Sequence, residues 1–326
     1  MKLPDYSDVV DAADRLRSIS RVTPLLRHPV IDEKVGVPVY LKAEPLQVTG
    51  SFKIRGAYNR ICRLTSEERE NGVVAFSSGN HAQGVARAAR LIGIKARIVM
   101  PSDTPKIKID GVKRDGAEII FYDRFTENRE SIAAQIADDE NCVIVSSYDD
   151  FHVIAGQGSC GLEIVKDWPE DTPPQMMACC VGGGGLISGS SLAIHHHWPG
   201  TKIYGVEPLH FDSTGQSLRS GERTSIDYGQ KSICDALLSP SPGELTLAIN
   251  QQHLAGGIAV TDDEVREAMR VAFKTLKIVV EPGGAAALAS VLAGRIPLNS
   301  DQPIVVVMTG GNVDPALYAD ILMSAD

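Results

Sequence analysis

Seven short runs rich in valine and isoleucine recur along the chain: "GVVAFSS", "KARIVMP", "AEIIFYD", "NCVIVSS", "MMACCVG", "KIYGVEP" and "PIVVVMTGG". Runs that are apolar without polar alternation are strands covered on both faces, and segments of helical periodicity separate them. This order predicts an α/β fold built on parallel sheet. One helix carries its own start signal. In "TDDEVREAMRVAFKTL", Thr261 and Glu264 stand at capping-box spacing, and Val265, Met269, Val271 and Leu276 repeat behind them as an apolar face. No internal repeat or low-complexity linker interrupts the pattern.

Glycine-rich or polar turns follow several strands. They are "SSGNHAQG" (77–84), "VGGGGLISG" (181–189), "EPGGAAALA" (281–289), which opens a small-residue helix, and "TGGNVD" (309–314). Ligands of open α/β sheets collect at the carboxyl ends of the strands, so these turns are predicted to share one crevice. In "GGGGLISGS" the bare backbone amides and the positive end of the following helix form an anion cradle suited to a phosphate. A tight turn alone does not explain four consecutive glycines, which cost chain entropy. A dinucleotide fingerprint is the rival reading: Gly183, Gly185 and Ser188 approximate it, with Glu207 as the ribose acid, and a nicotinamide oxidoreductase would follow. Its position past mid-chain and the serine in the third glycine's place count against it. It also leaves "TGSFKIRGAYNRI" unexplained, where Lys53 stands beside Phe52 and near Arg55. Such a lysine has a lowered amine pKa, which favours an imine with a carbonyl cofactor. Lysine and phosphate cradle together describe a pyridoxal phosphate site.

Composition narrows the partners. At 326 residues the chain has room for two lobes, and its net charge of −9, without any run of Lys and Arg, disfavours nucleic acid and anionic membrane. A small metabolite is the expected partner. The first residues lack the apolar core of a signal peptide and no stretch reaches a membrane span, so a cytoplasmic protein is expected. The six cysteines show no CxxC spacing and read as buried free thiols. His195, His196 and His197 are consecutive, point apart on a helix, and read as a solvated helix end.

The segments "GSFKIRGA", "SSGNHAQG", "VGGGGLISG", "GVEP", "EPGGAA" and "MTGGNVD" occur in this order. Over nearly the whole chain they resemble the fold-type II pyridoxal-phosphate enzymes of the serine/threonine dehydratase and serine racemase family. The resemblance implies two open, twisted, mostly parallel sheets flanked by helices, as in tryptophan synthase β. A larger cofactor domain would comprise residues 1–71 and 149–326, with a smaller one, 72–148, inserted; a homodimer is expected on the general prior for oligomers. Lys53 would carry the cofactor and move protons at the substrate α-carbon, with Ser78 on the opposite face of the ring. Phe52 and Ala236 would flank the ring, Asn80 would bond its hydroxyl, and Gly182, Gly183, Gly184, Gly185 and Leu186 would hold the phosphate. Thr309 would face the pyridine nitrogen, a neutral partner that leaves a weaker electron sink suited to β-elimination. Glu281 completes the cofactor set. Ser77, Ser78, Asn80, His81, Arg129 and Ser239 would bind the substrate.

The same likeness implies a divalent cation, Mg or Ca, held by Glu207, the Phe211 carbonyl and residue 213. Here Ser213 replaces the second acid and Asp212 is one position off. The implied reaction is loss of water from a 3-hydroxy amino acid such as L-threonine or L-serine, giving a 2-oxo acid and ammonia. Arg129, with Arg124 nearby, leaves 3-hydroxyaspartate open, and the "ICDALLSPSPGELT" loop leaves phenylserine or a hydroxyectoine-derived substrate open. Serine racemisation and a non-catalytic amino-acid binding protein also stay open. No C-terminal regulatory domain, and hence no feedback by isoleucine, is expected after "MTGGNVDPALYADILMSAD".

Overall fold

In the computed structural model, which describes residues 2–104, 106–226 and 229–324, the described chain forms ten strands. These are β1 (Leu25–Leu26), β2 (Val39–Ala43), β3 (Val73–Phe76), β4 (Ala96–Pro101), β5 (Glu118–Tyr122), β6 (Val143–Ile144), β7 (Met176–Cys180), β8 (Lys202–Pro208), β9 (Leu254–Val260) and β10 (Ile304–Met308). A six-stranded sheet has the order β1-β2-β10-β7-β8-β9 and a four-stranded sheet the order β5-β4-β3-β6. Every pairing is parallel except that of β1 with β2. Two mostly parallel sheets flanked by helices were expected, and all seven apolar runs became strands.

Three strands escaped the sequence reading. β1 is two residues long, β2 carries Lys42 in an otherwise apolar run, and β9 contains Gly256 and Gly257, which weaken a strand signal. Lys42 is tolerated because its fully buried ammonium donates to Glu163 at 2.7 Å and to the Thr23 carbonyl at 2.6 Å.

Strand alternation divides the larger sheet's core into two layers. Met176, Ala178 and Cys180 face the alanine-rich helix Pro282–Leu292, whereas Met177, Cys179 and Val181 face the helices Phe151–Asp167 and Gly185–His197. The last two helices approach closely through small residues: a Cβ on Gly189 would run into the Ile154 carbonyl. This contact fixes the height of the glycine loop before Gly185.

The smaller sheet packs Val73, Ala75, Ile98 and Met100 against Ala82, Val85, Ala86 and Ala89 of the helix Asn80–Ile92. Ile54, Ala57 and Ile61 of the helix Lys53–Ile61 join this core. Yet the chain just before that helix is tied to the larger sheet: Phe52 N donates to Thr309 O at 3.2 Å, and Ser51 bridges Gly310. The lysine-bearing helix is therefore a strut between the sheets.

The predicted capping box is present, with Glu264 N to Thr261 Oγ1 at 3.3 Å and Thr261 N to Glu264 Oε2 at 2.8 Å. The helix Asp262–Val271 widens into a π turn over Ala272–Leu276. The histidine end is docked rather than merely solvated: Tyr6 stacks on His196 with ring centroids 3.6 Å apart, and its hydroxyl meets His197 Nε2 at 2.9 Å. All six cysteines are unpaired and all but Cys62 are buried.

Candidate active site

A cavity of about 500 Å³ opens where the carboxyl ends of β3, β7 and β10 converge. Lys53, the first residue of its helix, lines it beside Phe52. Its Nζ donates to the Ser147 carbonyl at 2.7 Å and lies 5.1 Å from the centre of the Phe52 ring. Burial lowers its pKa to about 8, against the opposing pull of Glu281. Arg55 does not cause this shift. Its fully buried guanidinium is spent on Glu44 at 2.8 Å and Glu163 at 2.6 Å. Together with Lys42, these charges brace the lysine's helix from below.

The turn after β3 supplies one wall. Ser77, Ser78, Asn80 and His81 line the cavity where the helix Asn80–Ile92 begins, and no side chain caps that start. Its free amides are an anion site. Asn80 is held from both ends: its Nδ2 donates to Glu281 Oε1 at 2.5 Å and its Oδ1 accepts from Asn312 Nδ2 at 2.7 Å. His81 Nε2 donates to the Val145 carbonyl at 2.9 Å, leaving Nδ1 a buried acceptor without a partner among the described residues. Burial, reinforced by Lys53, lowers the His81 pKa to about 3, so the ring stays neutral.

The turn after β7 supplies the opposite wall. Gly182, Gly183, Gly184, Gly185 and Leu186 line the cavity, and the helix Gly185–His197 also begins without a side-chain cap. Gly184 has φ of 100°, a conformation reserved for glycine, and any side chain on Gly183 would run into the Tyr148 ring. Thr309, just past β10, lines the floor together with Cys180, whose thiol pKa burial raises to about 11. Ala236 and Ser239 close the roof.

Glu281 does not line the cavity but stands behind Asn80. Burial, followed by the nearby Asp235 charge, raises its pKa to about 7, with the Asn80 bond and the Lys108 and Lys53 charges opposing. Arg129 lines the cavity with its guanidinium 5.6 Å from the Phe76 ring, whereas Arg124 is absent from the lining and pairs with Asp103 at 2.6 Å.

The cation reading gains no support from the side chains around Glu207. Glu207, Phe211 and Ser213 lie away from the cavity lining. Each Glu207 oxygen already accepts a backbone amide, Thr214 N at 2.9 Å and Gly215 N at 2.8 Å, and burial raises its pKa to about 8. Among the described residues no cluster of three His, Cys, Asp or Glu side chains is assembled. One committed carboxylate, with Ser213 replacing the second, does not make the oxygen cage a hard cation needs. The same geometry disposes of Glu207 as a ribose ligand.

Several lining residues were missed because no local motif announces them: Ser146, Ser147 and Tyr148 after β6, Lys108, Arg223 and Asp235. Lys108 and Asp235 form an ion pair across the cavity from elements 127 residues apart.

A buried amine of lowered proton affinity and an uncapped glycine cradle, in a cavity also lined by Phe52 and Ala236, fit one cofactor, pyridoxal phosphate. Residues 16–310 match the family "Pyridoxal-phosphate dependent enzyme", and the chain belongs to that family. It is 39% identical over 323 residues to the L-threo-3-hydroxyaspartate ammonia-lyase of a Pseudomonas species, covering 99% of each chain. It is 37% identical over 320 residues to the serine racemase of Schizosaccharomyces pombe, covering 98% of each. The solved structure of maize serine racemase superposes with a TM-score of 0.92 at 33% identity, covering 98% of this chain and 97% of the other. The protein is thus a pyridoxal-phosphate enzyme, and the nicotinamide and non-catalytic readings fall away. Among the described residues no helix is long and apolar enough to cross a membrane.

Proposed function

We propose that the protein is an ammonia-lyase for 3-hydroxy amino acids, and that its preferred substrate carries a second carboxylate, as 3-hydroxyaspartate does. The supporting observation is Arg129: it faces the cavity with no carboxylate of a described residue within 4.0 Å, so its charge is available to a substrate anion. The name of the Pseudomonas relative points the same way. Bound here, pyridoxal phosphate supplies an electron sink for the bond to the α-carbon. The free amides at the start of the helix Asn80–Ile92 take the substrate's α-carboxylate, with Ser77 and neutral His81 beside them. Lys53, whose amine is half neutral near pH 8, takes the α-proton as water is lost from the β-carbon. Ser78 on the smaller-sheet wall stands ready to return a proton from the other side, the step that racemisation requires.

Residues 72–148 form the moving lobe in this reading and 1–71 with 149–326 the fixed one, closing over substrate to exclude water. The Lys108–Asp235 pair supports that division because it joins the two across the cavity mouth. Buried free thiols suit a reducing cytoplasm, and a homodimer is the assembly we propose. The test is release of 2-oxo acid and ammonia from 3-hydroxyaspartate, threonine and serine of each configuration. Release from none of them overturns the reading.

A further inference from the structure

Arg223 lines the cavity on the larger-sheet side and belongs to none of the motifs above. Its Nε donates to the Pro242 carbonyl at 2.7 Å and its Nη2 to Ser241 Oγ at 2.9 Å. Both acceptors are neutral, so the guanidinium is oriented without being neutralised, and Nη1 has no bonded partner among the described residues. The segment that holds it is itself anchored to the cradle. Gly243 N donates to Gly183 O at 3.3 Å, and Thr246 Oγ1 donates to the same oxygen at 2.7 Å.

The other charges of the cavity are committed or distant. Lys108 is paired with Asp235. Asp149 caps the helix Glu244–His253, accepting from Glu244 N and Leu245 N at 2.9 Å and from Thr246 N at 3.2 Å. Glu130 lines the wall but comes within 4.0 Å of neither Arg129 nor Arg223. The two guanidinium groups therefore enter from opposite lobes, Arg129 beside Phe76 of the smaller sheet and Arg223 on the 241–242 segment. Tyr148 lines the same cavity, its phenol pKa raised by burial, then by Asp149 and Glu130, with Arg223 and Arg129 opposing.

We infer that Arg223 is a specificity-determining residue which, with Arg129, clamps the distal carboxylate of a dicarboxylic 3-hydroxy amino acid between the two lobes. This rests on the ammonia-lyase reading and deepens it. A guanidinium whose fork is already oriented loses little freedom on meeting a second carboxylate, whereas a methyl or hydrogen in that place leaves the charge unanswered. Discrimination then sits in binding the side chain, not in the proton transfers at Lys53.

The test compares wild type with Arg223→Gln, Arg223→Leu and Arg223→Lys holoenzymes on 3-hydroxyaspartate and threonine. Competitive inhibition by succinate and butyrate and the dissociation constant of pyridoxal phosphate are measured alongside. The expected result for Arg223→Gln and Arg223→Leu is a loss of about 10- to 100-fold in kcat/KM for 3-hydroxyaspartate, carried by KM, and a matching loss of succinate affinity. Threonine turnover, butyrate inhibition and cofactor affinity should change less than about threefold, and Arg223→Lys should recover part of the loss. An undiminished preference for the dicarboxylates in Arg223→Gln overturns the inference. So does a weakened cofactor, or an equal loss on both substrates, either of which assigns Arg223 to the phosphate or to the fold. A wild type that eliminates water from threonine but does not favour 3-hydroxyaspartate sinks the dicarboxylate preference while leaving the ammonia-lyase itself standing. A wild type inert on every 3-hydroxy amino acid sinks the parent reading.

Discussion

The turns after β3 and β7 are two versions of one device. Each follows a parallel strand, lines the same cavity and opens a helix whose first amides no side chain caps. They differ in what clothes those amides. The β7 turn is bare glycine from Gly182 to Gly185, so that an approaching anion would meet backbone alone. The β3 turn carries Ser77, Ser78, Asn80 and His81; Asn80 is fixed by Glu281 and Asn312, and His81 by the Val145 carbonyl. A permanent ligand needs close approach and nothing that titrates. A passing substrate needs selectivity and proton traffic, which amides cannot supply.

The largest effect should come from the residue both turns face. Lys53→Ala is expected to lower 2-oxo acid release by more than about 10³-fold, and borohydride treatment followed by mass spectrometry should find no cofactor fixed to the chain. Next, Gly183→Ala puts a methyl group against the Tyr148 ring and fills the cradle. It should weaken pyridoxal phosphate by at least about 100-fold, read from absorbance titration of apoprotein. The reciprocal change on the other turn, Ser77→Ala, should raise substrate KM by roughly 10-fold with a smaller change in cofactor affinity. If both variants lose cofactor equally, the two turns are not separate devices.

Proton affinity gives finer tests. With Lys53 near pKa 8 instead of 10.5, the neutral fraction climbs about tenfold between pH 7 and pH 9 and then levels. Stopped-flow reconstitution of apoprotein should follow that curve; an ordinary lysine would give a rise of about 100-fold that continues upward. The smallest change is expected for Glu207→Gln, outside the cavity. Native Glu207 holds its proton up to about pH 8 while the unfolded chain releases it near 4.5, so its contribution to stability declines as pH rises through that window. The variant should lack that decline, at most about 1.4 kcal/mol per pH unit in urea titrations, with turnover little altered.

Much of this was legible in the sequence because the two turns are local: each strand, its turn and its helix start are contiguous in the chain. Glu281 was legible as a motif but not as a position, since nothing in "EPGGAA" tells that its carboxylate stands behind Asn80, 201 residues away. Arg55 was read as a neighbour of Lys53 because it is two residues on. About half a turn of helix sends it instead toward Glu44 and Glu163. β2 was hidden by Lys42, whose partner Glu163 lies 121 residues downstream. Lys108, Tyr148, Arg223 and Asp235 meet only through the fold, so no spacing rule finds them.

The helix Lys53–Ile61 stands in the smaller sheet's core while its entry point is stitched to the larger one. A chromophore fastened to its first residue would therefore sit on the hinge line of the molecule, and any swing of one half against the other would alter the polarity around it. The enzyme's own yellow colour would then report its posture without an added label.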